Sequence, residues 1–131
     1  MQIEYKTGMY LYNKTGALFR LDNWGVYKAP FLYCYDNGIA TTLKELSELV
    51  GIHDYKQLLN MYYKPFYLQP CDEVTYKGVH YRVGDFEKSN YSKAGFALRL
   101  INKEQGGILI TKETLLKNEK IKLEKGYFGD K

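Results

Sequence analysis

The stretch TLKELSELVGI, residues 42–52, is the clearest local signal in this sequence. Thr42 is a suitable N-cap, and Glu45 three residues later completes a capping box, in which each side chain bonds to a free backbone amide of the other residue. Gly51 can adopt the left-handed conformation that ends a helix. Apolar residues at helical spacing predict the face that packs in the core: Leu43, Leu46, Leu49 and Val50.

A second helix is predicted directly after the first. Asp54 is a plausible N-cap with Gln57 at the third position, and the apolar face comprises Tyr55, Leu58, Leu59 and Tyr62. Pro65 disfavours helical backbone in the residue before it, so this helix should end near Tyr63. The two segments together predict an αα-hairpin near residues 42–63.

The sequence on both sides of the helix pair favours β-strands joined by turns. The predicted strands are a short one at residues 3–6, then residues 9–12, 17–21, 26–28, 31–35, 73–76, 79–83, 96–101, 108–110 and an edge strand at 121–123. Residues 84–95 are polar without a clear period and are interpreted as a surface loop. The fold class is therefore α+β, with a mostly antiparallel meander. A small barrel in the C-terminal half is the favoured variant.

Length and composition favour one domain over residues 1–131, located in the cytoplasm. The 131 residues are 45% hydrophobic, without the run of about 20 apolar residues that a membrane span needs. The first residues do not resemble a secretory signal. Cys34 and Cys71 are expected to be reduced and mostly buried, as is usual for thiols of a cytosolic protein. A disulfide would require the fold to bring them together, and neither has a Cys or His within five residues that could complete a zinc site.

Chemical motifs are missing from the sequence, which predicts a protein that is not an enzyme and uses no cofactor or metal. It has no phosphate-binding glycine loop and no nucleophile elbow. His53 and His80 are interpreted as structural or solvent-exposed residues. Asp85 and Glu87 would share a strand face that could hold a hard cation, although solvated charges are the favoured interpretation.

The helix pair resembles a helix-turn-helix, the motif that places its second helix in the DNA major groove. Ser47 lies four residues before Gly51, and an apolar Ile52 follows the glycine. The resemblance implies phosphate contacts from Lys56 and Lys64, and adenine contacts from Gln57 and Asn60. Lys44 on the first helix is a further candidate contact. The alternative is a plain αα-hairpin that covers a sheet.

A second group of candidates combines aromatic rings with cations. The chain has 14 Tyr, 6 Phe and 1 Trp, with 19 basic and 15 acidic residues. Interleaved rings and cations suit base stacking, and tyrosine and arginine also suit protein interfaces. The candidates near the second helix and in the following hairpin are Tyr62, Tyr63, Lys64, Tyr67, Lys77 and Arg82.

Three functions remain open from the sequence. The first is a non-catalytic protein that binds nucleic acid through the helix pair and the adjacent basic-aromatic surface. The second is a protein-binding effector, since the chain resembles in general character the small accessory proteins of phages and mobile elements. Some of those proteins inhibit host defence nucleases, as anti-CRISPR proteins do. The third is a small-molecule binder or small enzyme.

Overall fold

The two compact units of the protein each contain one five-stranded antiparallel sheet. The computed structural model describes residues 4–23, 30–104, 106–117 and 121–126. Unit 1 covers Met1–Tyr67 and unit 2 covers Leu68–Lys131. The predicted α+β class with mostly antiparallel strands is confirmed. That residues 1–131 act as a single domain stays a prediction.

The sheet of unit 1 has the order β4-β3-β2-β1-β5. Its strands are β1 (Tyr10–Asn13), β2 (Leu18–Asp22), β3 (Phe31–Cys34), β4 (Ala40–Thr42) and β5 (Tyr63–Pro65). The β1–β2 turn is stabilised by the Asn13 side chain, which accepts hydrogen bonds from the backbone amides of Thr15 and Ala17. The strand predicted at 26–28 lies outside the described residues. The short strand predicted at 3–6 is wrong for its described part, because residues 4–6 are irregular.

The two helices have the predicted ends. Helix α1 (Leu43–Val50) begins with the Thr42–Glu45 capping box, and Gly51 closes it with a φ of 75°. Helix α2 (Tyr55–Tyr62) begins at Asp54, whose carboxylate accepts the amides of Lys56 and Gln57. These local signals are confirmed because each depends only on residues within one helical turn.

The predicted apolar face of α1 is partly wrong. Leu43 is buried as expected, but Leu49 is 81% exposed and Val50 is also exposed. Ser47 is buried instead, with its hydroxyl donating to the Lys44 carbonyl. The helix therefore packs through positions 43 and 47, which lie on one face at a spacing of four residues. The small serine permits this packing.

The end of α2 agrees with the prediction, and a strand that was not predicted follows it. Tyr63 has extended backbone and starts β5, in which Lys64 pairs with Tyr12 and Pro65 with Leu11 of β1. Lys64, a candidate phosphate contact, is therefore a strand residue. Pro65 is compatible with this place because β5 is an edge strand.

The sheet of unit 2 has the order β10-β6-β7-β8-β9. Its elements are β6 (Glu73–Tyr76), β7 (Val79–Lys88), β8 (Phe96–Asn102), β9 (Gly106–Thr111), α3 (Lys112–Lys117) and β10 (Ile121–Lys125). The sheet is open, with β10 and β9 at its edges, so the barrel variant is wrong. The predicted edge strand at 121–123 is confirmed as part of β10.

The loop predicted at 84–95 is wrong in its first part, because β7 continues to Lys88. A register shift between Val83 and Phe86 interrupts the pairing of β7 with β8. Such a bulge breaks the alternation of apolar and polar residues on which the prediction depended. Gly84 lies at this bulge, and a Cβ there would meet the Arg99 carbonyl oxygen at 3.1 Å.

Each unit buries its own apolar side chains. In unit 1 the fully buried set includes Tyr10, Leu11, Leu18, Leu32 and Leu58. In unit 2 it includes Val74, Val83, Leu98, Leu100 and Leu115. Burial of such side chains is the main favourable contribution to folding.

Replacing the helix cap should destabilise the protein. Thr42→Ala removes the hydroxyl that accepts the Glu45 amide at 3.1 Å, and we expect a loss of about 1 kcal/mol in unfolding free energy. Urea denaturation measures the change. Glu48→Ala, an exposed position in the same helix, is the control and should stay within about 0.5 kcal/mol of wild type. Equal losses in both variants would contradict the role of the cap.

Candidate binding surface of the helix pair

Three buried leucines pack the helix pair against the rest of unit 1. Leu43 of α1 and Leu58 and Leu59 of α2 are each at most 3% exposed. The segment 51–54 separates the helices, so the end of α1 lies near the start of α2. Both helices are capped at their N-termini, and their solvent-facing side chains therefore project from an ordered backbone.

Of the four polar candidates on the helices, two are exposed and two form contacts with other groups of the protein. Lys44 and Gln57 are exposed on the two helices. The ammonium group of Lys56 lies 3.3 Å from the Glu4 carboxylate. The amide of Asn60 donates to the Lys56 carbonyl at 2.8 Å, within the same helix. Two of the four helix candidates therefore already have partners in the protein.

Residues 42–64, which span the helix pair and the first part of β5, contain equal numbers of positive and negative charges. Residues 42–64 contain three lysines and three acidic residues, the latter being Glu45, Glu48 and Asp54. Proteins that bind a phosphate backbone normally cluster positive charge on the contact face. The helix pair has no such excess.

Apolar exposure is the more unusual property of the pair. We define the apolar helix surface as the exposed apolar residues of the two helices: Leu49 and Val50 at the end of α1, and Met61 and Tyr62 at the end of α2. All four are exposed, Leu49 at 81% and Met61 at 53%. Single exposed apolar residues are common, whereas four on two helices of eight residues each are the least ordinary feature of the pair.

A small pocket lies beside the helix pair within unit 1. Its volume is about 210 Å³. Both helices line it, together with residues near the start of the chain and from the sheet: Glu4, Tyr5, Thr7, Leu21, Pro30, Leu43, Tyr55, Lys56 and Leu59. The lining is mainly apolar, and the Glu4–Lys56 ion pair supplies its charged groups. Pockets for drug-sized ligands are usually larger, so this one suits a single side chain.

Tyr63 and Tyr67, the aromatic candidates that follow the second helix, pack against other side chains of unit 1. The Tyr63 ring packs edge-on against Phe19 with centroids 5.2 Å apart, and the Tyr63 carbonyl accepts the Tyr5 hydroxyl at 3.1 Å. The Tyr67 ring lies 4.7 Å from that of Phe66. Burial, with a smaller effect of Cys34, raises the pKa of Tyr63. Burial also raises the pKa of Tyr67 to about 12.

The last two candidates, Lys77 and Arg82, belong to unit 2. Lys77 follows β6 in a turn, and its ammonium group lies 5.3 Å from the centroid of the Tyr76 ring. Arg82 is exposed on β7, opposite Glu73 of β6 and Ile101 of β8. These two cations therefore do not belong to the helix pair.

The residues of unit 2 considered for acid–base or metal chemistry have partners within that unit. Glu87 forms an ion pair with Arg99, whose hydrogen bond lowers the carboxyl pKa. His80 lies 3.2 Å from the Thr75 hydroxyl, which donates to Glu124 at 2.7 Å. Within residues 4–23, 30–104, 106–117 and 121–126, no group of three or more His, Cys, Asp or Glu residues could hold a metal ion.

Both cysteines are free thiols, and their exposures differ. Cys34 is buried in β3 as expected, whereas Cys71 is exposed, which corrects the expectation of two mostly buried thiols. Cys71 has a φ of 69° in the turn before β6, so the turn conformation rather than residue type determines its exposure. In the part of the chain that the structure describes, no helix is long and apolar enough to span a membrane.

Comparison with known proteins finds no match to a family model, to a curated protein or to a solved structure. The function must therefore be inferred from the geometry of this chain. Sequence reasoning placed Leu49 and Val50 in the core and did not single out Met61. Only the rotation of each helix on the sheet distinguishes an exposed leucine from a buried one.

Two leucine truncations should separate the core face from the apolar helix surface. Leu58→Ala empties a site that is 1% exposed and should cost about 2–5 kcal/mol of unfolding free energy. Leu49→Ala should change stability by less than about 0.5 kcal/mol, because that side chain is mainly in water. Urea denaturation of both variants checks the difference. A loss above 2 kcal/mol (about the minimum for a core leucine) in Leu49→Ala would show that it packs in the core.

The phenol of Tyr67 should make stability fall in strong base. Its folded-state pKa is about 12 against an ordinary value of 10.0, so the unfolded chain releases this proton first as pH rises. The contribution of the Tyr67 phenol to the unfolding free energy is fully present below its ordinary pKa. It is lost as the pH rises through the folded-state pKa. Unfolding free energies should therefore decline less steeply over this window in Tyr67→Phe than in wild type. Identical slopes would contradict a buried phenol.

Proposed function

We propose that this protein is a non-catalytic binding protein that acts by protein–protein contact, with the helix pair of unit 1 as its contact surface. The observation that carries this proposal is the exposure of Leu49, Val50, Met61 and Tyr62 on two capped helices. Water contact of these side chains is unfavourable, and a partner that covers them recovers the free energy of apolar burial.

The neighbouring pocket supports the same function. Protein interfaces derive much of their affinity from a few side chains that fill well-packed pockets. A volume of about 210 Å³ accommodates one aromatic or aliphatic side chain of a partner. The Glu4–Lys56 ion pair supplies charged groups of both signs beside it, as in the polar rim of an interface.

Nucleic-acid binding, the first hypothesis from the sequence, receives less support from the geometry. The balanced charge of residues 42–64 provides little attraction for phosphates. The engaged side chains of Lys56 and Asn60 would exchange existing partners on binding. A nucleic-acid-handling protein, such as the defence nucleases that phage accessory proteins inhibit, is the first class of protein partner to test.

The test compares partner capture by the wild type with capture by two surface variants. The full chain is immobilised and exposed to a bacterial lysate and to purified defence nucleases. The dissociation constant of each captured protein is then measured in purified form. Leu49→Lys combined with Met61→Lys should weaken binding at least about tenfold, which is the effect of losing a hot-spot contact. Leu116→Lys, at a residue of α3 with 51% exposure, is the matched control and should bind like wild type.

Fluorescence anisotropy with labelled duplex DNA, single-stranded DNA and RNA tests the competing function. We expect no tight binding by wild type at moderate salt. Binding that falls steeply with salt and is lost in Lys44→Glu with Lys56→Glu, but kept in Leu49→Lys with Met61→Lys, would overturn the proposal in favour of a nucleic-acid reader.

A further inference from the structure

The two edges of the unit 2 sheet differ in a way that indicates a second interface. An edge strand exposes unpaired backbone groups that can pair with another chain, and proteins commonly place charged residues there to prevent it. The edge strand β10 carries Lys122, Glu124 and Lys125. The opposite edge strand β9 has the sequence GGILIT, with no charged residue and no proline.

The free side of β9 is accessible among the described residues. The strand pairs with β8 from Ala97–Thr111 to Asn102–Gly106, and no described strand pairs with its other side. Gly106 and Gly107 are exposed, and Leu109 is 39% exposed. Its six residues are a common length for a strand.

We propose that β9 pairs antiparallel with β9 of a second copy of this chain, which joins the two unit 2 sheets across a two-fold axis. Backbone groups at a sheet edge require an extended strand as their partner. In a two-fold antiparallel pair, opposite residues lie on the same face, so paired residue numbers differ by an even amount. This restricts the register to a few choices.

The side chains of β9 complement one another in one of these registers. With Ile108 on the two-fold axis, Gly107 of each copy lies opposite Leu109 of the other, and Gly106 lies opposite Ile110. Each glycine thus faces a large aliphatic side chain. No like charges meet, because β9 has none. This small-to-large match favours a second copy over an unrelated peptide.

The Arg99 side chain lies over Gly107, which indicates what the second copy would contact. A Cβ at Gly107 would lie 2.8 Å from Nη1 of Arg99, so the arginine side chain covers this glycine. Glu87 holds the same guanidinium by hydrogen bonds from Nε and Nη2. Leu109 of the second copy would pack beside this fixed side chain, in the same row as the exposed Ile101, which pairs with Gly107.

The first test is the mass of the full chain in solution by light scattering and sedimentation over a dilution series. We expect wild type to approach twice the chain mass of 15.3 kDa at the higher concentrations. Leu109→Lys should remain monomeric, because it places a charge on the joined edge. Leu123→Lys, on β10 with 46% exposure, is the matched control and should dimerise like wild type. Circular dichroism confirms that both variants fold.

The helix pair of unit 1 provides a control for the source of any dimer. Leu49→Lys with Met61→Lys should dimerise like wild type, so the two proposals can fail independently. Wild type that stays monomeric throughout would overturn the β9 pairing. It would also be overturned by a dimer that survives Leu109→Lys or that is lost in the helix variant.

Cysteine cross-linking tests the register. In a Cys71→Ser background, Ile108→Cys should form an intermolecular disulfide, since directly paired Cα atoms are about 4.5–5.5 Å apart and disulfides span about 4.4–6.8 Å. Leu109→Cys should not cross-link, because the two copies of that residue would lie about 8 Å apart on the diagonal. Cross-linking of neither variant, or of Leu109→Cys alone, would overturn this pairing.

Discussion

The pairing of β5 with β1 is the contact on which the rest of unit 1 depends. Residues 63–65 return to the strand at residues 10–13 and become one edge of the sheet. Strand β4, which leads into α1, lies at the opposite edge. The helix pair must therefore cross the sheet between its two edges, and the buried Leu43, Leu58 and Leu59 anchor it there. Because the helix pair crosses the sheet in this way, the side chains on the far side of each helix face water.

This crossing also explains why the apolar helix surface faces water. A helix of eight residues has about two turns and can press only one narrow face on the sheet. In α1 that face contains Leu43 and Ser47, which leaves Leu49 and Val50 outside. Residues 42–64, which contain this surface, have equal numbers of lysines and acidic residues. The proposal of a protein partner depends on these two properties together.

The unit 2 sheet presents a different kind of surface, in which backbone groups rather than side chains determine the partner. Charged residues on an edge strand oppose pairing with another chain. The edge strand β10 carries such residues, whereas the edge strand β9 carries none. The ion pair of Arg99 with Glu87 fixes a side chain over Gly107. The ion pair lies beside the edge of β9, which pairs with no other strand on its free side among the described residues.

The sequence by itself determined the features that depend on near neighbours. Both helix caps, the glycine stop, most strands and the α+β class could be predicted, since each follows from turn chemistry or from a short period. Of the candidate site, the exposed Lys44 and Gln57 could be located on the correct helices. That Lys64 belongs to a strand could not be predicted, because β5 depends on its pairing with the distant β1.

Only the tertiary structure decided which side of each element faces the core. The rotation of α1 on the sheet exposes Leu49 and buries Ser47, although hydrophobicity alone predicts the reverse. The bulge at Gly84 extends β7 through a stretch with no regular alternation. Strand order places β9 at an edge, which no local pattern reveals. In each case the physical reason is the same: burial depends on contacts between residues that are distant in the sequence, and a local pattern does not contain them.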